Sequence, residues 1–245
     1  MNLNKKSKRT EALLTSFLHY QFKKHFYCIY LDDQRDNKHQ AGAKLYLMNH
    51  SSWWDGLLIF YLNKTIMQED AFAMMSKKGM EEFSFFEKIG AFPVDPSSPK
   101  DLIKALSFAH NLLAEKKSVW IFPQGREEHI EKRPFSYFNG PAYLMEKKEE
   151  LEIILVGSYY SFRHDQRPEL FLRIQDSLSL SQFLHLNRRE KTDLLREKHE
   201  ALVNSIRDDL IHERLGNYKT IKKGSKTASE WLQWMKKPIK KRSKA

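Results

Sequence analysis

The chain has 245 residues, 41% of them apolar and 16 of them Phe, which excludes a disordered polymer and suits one domain with a full core plus terminal extensions. A single cysteine, Cys28, excludes an intramolecular disulfide and a cysteine-built zinc site, so a reducing compartment is the simplest setting. The net charge of +11 is uneven: ten Lys/Arg against Glu230 alone put +9 on residues 216–245 and leave +2 on residues 1–215, so the basicity belongs to a tail and points to a partner surface.

Residues 10–31 read as a helix. Leu13, Leu14, Phe17, Leu18, Phe22, Phe26 and Ile29 recur at steps of three and four, with Gln21, Lys23 and Lys24 opposite. His19, Lys23, Lys24 and His25 interrupt its apolar run, which therefore falls short of the roughly 20 apolar residues of a spanning helix. No signal-peptide pattern is expected either. Such a helix packs on a sheet or lies in a membrane interface, and the pattern leaves both open.

Residues 32–42 are polar and read as a loop. A strand is expected over 44–48, then a helix capped by Ser51 or Ser52 and running through Asp55 to Leu62. A second strand covers 71–75, an aromatic-rich helix 80–89, and a short extended piece 91–94. Ser98 caps the next helix, with Pro99 at its first position and Leu102, Leu106, Ala109 and Leu113 on its buried side. Strands follow at 119–122, 153–156 and 171–174, and a long polar helix fills 183–214. Strands alternating with helices predict an α/β fold, with a mixed, partly parallel sheet flanked by helices and preceded by the amphipathic helix. In such sheets, function sits at the C-terminal ends of strands.

Two motifs fall at such ends. In Asn49-His50-Ser51-Ser52-Trp53-Trp54-Asp55, a strand-end histidine precedes a carboxylate in the first turn of a helix. The carboxylate can hold one ring nitrogen so that the other accepts a proton, and the helix start offers N–H groups to a developing oxyanion. The spacing alone equally fits an ordinary loop histidine and a first-turn acid. In Ile121-Phe122-Pro123-Gln124-Gly125-Arg126-Glu127-Glu128, Pro and Gly make a tight strand-end turn and Arg126 offers a fork to an anion or a polar head group; alone, this is also a plain charged turn. The histidines show no metal spacing, and no metal is expected. The group Phe83, Phe85, Phe86 and Phe92 suits the core, or the wall of an acyl channel.

Together and in this order, the motifs resemble the glycerolipid acyltransferase family, which includes the 1-acylglycerol-3-phosphate O-acyltransferases. Its first block, Asn-His-x4-Asp, is matched by Asn49, His50 and Asp55, and its third, Phe-Pro-Glu-Gly-Thr-Arg-Ser, by Phe122, Pro123 and Gly125. Ser76-Lys77-Lys78 and Gly90-Ala91-Phe92-Pro93-Val94-Asp95 stand between them, and Ile153–Gly157 corresponds to a fourth, apolar block. The resemblance covers residues 40–175. It implies that His50 is the general base and Asp55 its orienter. Phe122, Pro123, Gln124, Gly125, Arg126 and Lys77 would shape the acceptor site. Acyl-CoA or acyl carrier protein would be the thioester donor, with no metal or redox cofactor.

Three departures stand out. Gln124 replaces Glu, Arg126 and Glu127 replace Thr and Arg, and Pro96 replaces the arginine that closes the second block. The family associates those two arginines with the acceptor phosphate. Their loss leaves Arg126, Arg133, Lys77 and Lys78 as replacements, or favours a glycolipid or other phosphate-free acceptor. In the tail, Trp231, Trp234 and Met235 precede Lys236, Lys237, Lys240, Lys241 and Arg242, a pairing that fits anionic lipid at the membrane boundary.

The sequence thus predicts an amphipathic helix over 1–32, an acyltransferase domain over 33–215 and a basic Trp/Lys tail over 216–245. The expected enzyme acylates a lysophospholipid-like or glycolipid hydroxyl, as a peripheral protein on the cytoplasmic face of a membrane. Lysophosphatidic acid remains an alternative acceptor. A non-catalytic lipid- or nucleic-acid-binding protein on the same fold is the alternative of another kind, although nucleic acid is not the expected partner.

Overall fold

A computed structural model describes residues 6–36, 42–146 and 151–236. Among them, eight strands form one sheet: β1 (Cys28–Asp33), β2 (Ala43–Met48), β3 (Ala71–Ser76), β4 (Ala91–Val94), β5 (Ser118–Ile121), β6 (Leu151–Ser161), β7 (Glu169–Ile174) and β8 (Lys219–Lys223). Their order is β4-β3-β5-β2-β6-β7-β1-β8. The run from β4 to β6 is parallel throughout. β7 turns antiparallel to β6, β1 runs parallel to β7, and β8 closes the edge antiparallel to β1.

All six residues of β2 are buried. Tyr46 and Met48 point into one apolar layer, Leu45 and Leu47 into the other. A strand buried on both faces needs helices on both sides. α1 (Lys8–His25) and α2 (Trp54–Leu62) cover one face through Leu14, Leu18, Phe22, Leu58 and Tyr61. α4 (Pro99–Ala114), α5 (Gly140–Glu146) and α6 (Arg188–Ile211) cover the other. Of the two caps expected, that of Ser98 forms; α2, expected to be capped by Ser51 or Ser52, starts after Trp53 without a side-chain cap. The N–H groups of Ser51 and Ser52 turn to Asp55 instead, and Ser52 Oγ reaches only the Trp54 N–H at 3.3 Å. Ser98 Oγ accepts from the Asp101 N–H, and Asn187 and Glu190 form a reciprocal capping box at the start of α6.

Four expected elements change. The N-terminal helix stops at His25, and residues 28–33 become β1, because the apolar run 28–31 is too short for its periodicity to separate a buried strand from the end of a helix. Within the basic tail, Lys219–Lys223 forms the edge strand β8. Residues 80–89 split into α3 (Lys77–Glu82) and a 3-10 turn at Ser84–Ile89 that ends on Gly90 at φ 102°. The long polar helix starts at Arg188, after a separate turn at Leu180–Phe183.

His199 of α6 lies wholly buried between the helix and the sheet. Its Nε2 is 3.1 Å from the Val156 carbonyl, and Nδ1 is 3.4 Å from the Tyr137 hydroxyl. The carbonyl takes a donor, so Nε2 carries the proton and Nδ1 accepts from the tyrosine. Burial pushes the imidazole down from 6.5 to about 4. The unfolded chain therefore takes up this proton earlier than the folded one. Stability is lost as pH falls through that window, by about 3 kcal/mol in all. Urea titrations between pH 7 and pH 4.5 are expected to show this slope in the wild type and a much flatter one in His199→Gln. Equal slopes would remove His199 as the cause.

Candidate active site

β2 lies between β5 and β6, parallel to both, so the chain leaving Met48 emerges beside the loop that follows β5. Asn49 comes first and is buried. Its Oδ1 accepts from the Ser158 N–H at 2.7 Å and its Nδ2 donates to the Ser158 carbonyl at 3.0 Å. The side-chain amide thus continues the β2–β6 ladder while the backbone turns away. The His50 N–H donates to Gln124 Oε1 at 2.6 Å, and its carbonyl accepts from the Glu128 N–H at 2.9 Å. Both backbone groups of the histidine are spent on the loop after β5.

The ring is held at one edge and on one face. Nδ1 lies 3.0 Å from Asp55 Oδ2, which also accepts from the N–H groups of Ser51 at 2.8 Å and Ser52 at 2.9 Å. Tyr160 donates its hydroxyl to Asp55 Oδ1 at 2.6 Å. Asp55 has no exposed surface, and a buried charge is tolerated only when its acceptor sites are filled, as they are here. Burial first, and then the charge of Asp55, push the Tyr160 phenol well above its ordinary range, so it stays a donor. Phe122 stacks on the imidazole, 4.1 Å between centroids and 16° between planes. A carboxylate only accepts, so Nδ1 carries the proton and Nε2 presents its lone pair. Among the described residues Nε2 makes no hydrogen bond; the Glu127 carboxylate stands 3.9 Å from it, on the exposed side.

The loop after β5 is itself built around a carboxylate. Glu128 is buried and receives Ser136 Oγ at 2.7 Å, Lys132 Nζ at 2.5 Å and Arg126 Nε at 3.1 Å. Burial alone would raise its pKa; these donors outweigh it and bring the group down to about 2. Gln124 Nε2 is 3.5 Å from the same carboxylate. A glutamate at 124 would set two carboxylates together, which accounts for Gln at this position. Gly125 adopts φ 70°, and a Cβ there would collide with the ring of Phe138. Farther along, the Phe135 N–H donates to Glu200 and Arg133 donates to Asn204, so α6 holds the loop from behind.

His50, Asp55 and Phe122 come together as expected. Gln124, expected at the acceptor, is instead turned inward, with 2% of its surface exposed. Pro123 is buried, and its carbonyl accepts from the Phe138 N–H. Arg126 lies at the exposed mouth, tethered to Glu128, while Lys77 opens α3 and its charge acts on Asp95. The helix-start N–H groups of Ser51 and Ser52, expected to serve an oxyanion, are consumed by Asp55. Phe83, Phe85 and Phe86 pack on the α1 side of the sheet and Phe92 on the other, so they do not form one wall. Trp231 and Trp234 stand on α7 (Ala228–Lys236), which buries no residue and ends at Lys236; Lys237 lies outside the described residues. The sequence reading missed the roles of Tyr160 and Ser158, more than 100 residues from their partners, where no local signal exists.

The family model described as Acyltransferase matches residues 31–155. No curated protein matches the chain. Among solved structures, the 1-acyl-sn-glycerophosphate (LPA) acyltransferase PlsC from Thermotoga maritima is similar in fold, with a TM-score of 0.54 at 13% identity over 83% of this chain and 79% of that one.

The His50 N–H depends on Gln124 for its acceptor. Gln124→Leu is expected to lower unfolding free energy by about 1–3 kcal/mol, the cost of a buried donor left unpaired. Chemical denaturation measures this directly, and an unchanged midpoint would show that the loop finds another acceptor.

Proposed function

The chain belongs to the acyltransferase family, and from that premise we propose that it moves a fatty acyl group from an acyl-CoA or acyl carrier protein thioester to a lysophospholipid-like or glycolipid hydroxyl at a membrane surface. The observation that carries the reading is the imidazole of His50, with Nδ1 fixed on a buried, saturated carboxylate and Nε2 open to the exterior.

In this scheme the acceptor hydroxyl donates its proton to Nε2 as its oxygen attacks the thioester carbonyl. The tetrahedral intermediate collapses, the carbon–sulfur bond breaks, and the leaving thiolate takes the proton back from the imidazolium. Asp55 stabilises the imidazolium, while Tyr160, Ser51 and Ser52 keep Asp55 in place. Phe122 fixes the plane of the ring and covers one face against water. The step as written uses no metal and no redox cofactor.

The membrane part of the proposal rests on exposed apolar side chains. No helix among the described residues is long and apolar enough to cross a membrane. α1 exposes Leu13, Phe17 and Tyr20 along one side, and Trp53 is exposed beside the site. α7 exposes Trp231, Leu232 and Met235, with Lys226 over the Trp234 ring at 5.2 Å. Aromatic rings beside cations suit the boundary of an anionic bilayer, here the cytoplasmic face.

Radiolabelled acyl-CoA or acyl carrier protein is expected to label a lipid from a total extract with wild type and not with His50→Ala, a loss of roughly 10²–10⁴-fold. Tyr160→Phe is expected to retain activity at about a tenth, in line with one lost bond to a charged group. No His50-dependent product, from folded protein on vesicles, would favour a lipid-binding role without chemistry. Trp231→Ser with Trp234→Ser is expected to weaken sedimentation with anionic vesicles, and tighter binding to DNA than to those vesicles would refute the membrane assignment.

A further inference from the structure

We propose that Glu127 is a specificity-determining residue that directs the site to acceptors with an uncharged, hydroxyl-rich headgroup and excludes those with a phosphate beside the reacting hydroxyl. The inference rests on the reading of His50 as the base and deepens it by naming the acceptor class.

The two carboxylates around His50 stand on opposite sides. Asp55 is buried against Nδ1; Glu127 faces Nε2 at 3.9 Å with 52% of its side chain exposed. An acceptor must reach Nε2 from the exposed side, so it passes Glu127. The neighbouring cations are directed elsewhere. Arg126 Nε and Lys132 Nζ turn to Glu128, and Arg133 donates to Asn204 and to the carbonyls of Ile130 and Lys132. The same bonds fix the backbone on both sides of Glu127, since Gln124 and Glu128 point inward. The charge that remains against Nε2 is negative.

A hydroxyl on Nε2 places its near neighbours within a few ångström of that carboxylate. A neighbouring hydroxyl can donate to it, which orients a polyol. A phosphate in the same place meets a like charge, a repulsion of roughly tenfold in affinity at about 5 Å once screening of the half-exposed carboxylate is counted. Glu127 is thus the positive element for one acceptor class and the repulsive element against the other.

The test compares wild type, Glu127→Gln and Glu127→Arg with palmitoyl-CoA and three acceptors: a monoacyl glucosyl glycerol, 1-oleoylglycerol 3-phosphate and an oleoyl lipid with a free amine. Wild type is expected to favour the glycoside. Glu127→Gln should raise the kcat/KM ratio of phosphate to glycoside acceptor by about tenfold, and Glu127→Arg by more. An equal fall on all acceptors would show that Glu127 acts through the imidazolium, and that result overturns the proposal. So would equal wild-type use of glycoside and phosphate, or preference for the amine. Binding of sn-glycerol 3-phosphate, followed by tryptophan fluorescence, needs no turnover. It should be measurable in Glu127→Arg and absent in wild type; equal binding by both overturns the proposal even if no acceptor is acylated. Absence of transfer by wild type, with the binding difference intact, would count against the acyltransfer reading alone.

Discussion

The arrangement at the end of β2 depends on one buried carboxylate. Asp55 sits in the first turn of α2 with no exposed surface and accepts from two backbone N–H groups, a phenol and an imidazole. An ion so placed is costly unless every acceptor site is filled. The donors come from two distant parts of the chain: the turn after β2, which supplies His50, Ser51 and Ser52, and the C-terminal end of β6, which supplies Tyr160. Satisfying Asp55 therefore fixes the start of α2 relative to the sheet. It also turns the imidazole so that one nitrogen is committed and the other is presented outward.

A second carboxylate repeats the device one loop away. Glu128 organises the segment after β5, drawing in Ser136, Lys132 and Arg126, and its backbone N–H returns to the carbonyl of His50. The two centres share Gln124, which accepts from His50 and reaches Glu128. α6 supports this loop through Glu200 and Asn204 while packing its own apolar stripe on the sheet. Core packing and site geometry are thus coupled: displacement of α6 would be felt at His50 through two hydrogen-bonded steps.

Much of this was legible in the residues themselves. The parallel centre of the sheet, the Ser98 cap, and the meeting of His50, Asp55 and Phe122 follow from apolar runs, cap chemistry and motif order. Other parts were hidden for physical reasons. β1 was absorbed into the N-terminal helix because the apolar run 28–31 is too short for its period to decide. β8 was concealed in a run of lysines, which are the side chains that edge strands carry to discourage further pairing. Tyr160 and Ser158 act across the sheet, and only the register of β2 on β6 brings them to the motif. Gln124 reads as a missing charge in the sequence. In the fold it is the uncharged donor that a buried neighbour requires.

The departures from the family pattern act together. Taken singly, Gln124, Arg126 and Glu127 look like decay of an anion-binding loop. Taken together they redistribute charge. The inward position is neutral, because Glu128 already occupies the buried site. Arg126 is drawn sideways to Glu128, and the outward position facing Nε2 is acidic. A loop losing its function would have no reason to keep the bonds that hold His50. Here the histidine makes both backbone bonds to the loop and stacks on a phenylalanine. The base is presented by a fully bonded loop, and the side chain beside its free nitrogen is acidic, an arrangement that fits the proposed acceptor class better than a loop without chemistry.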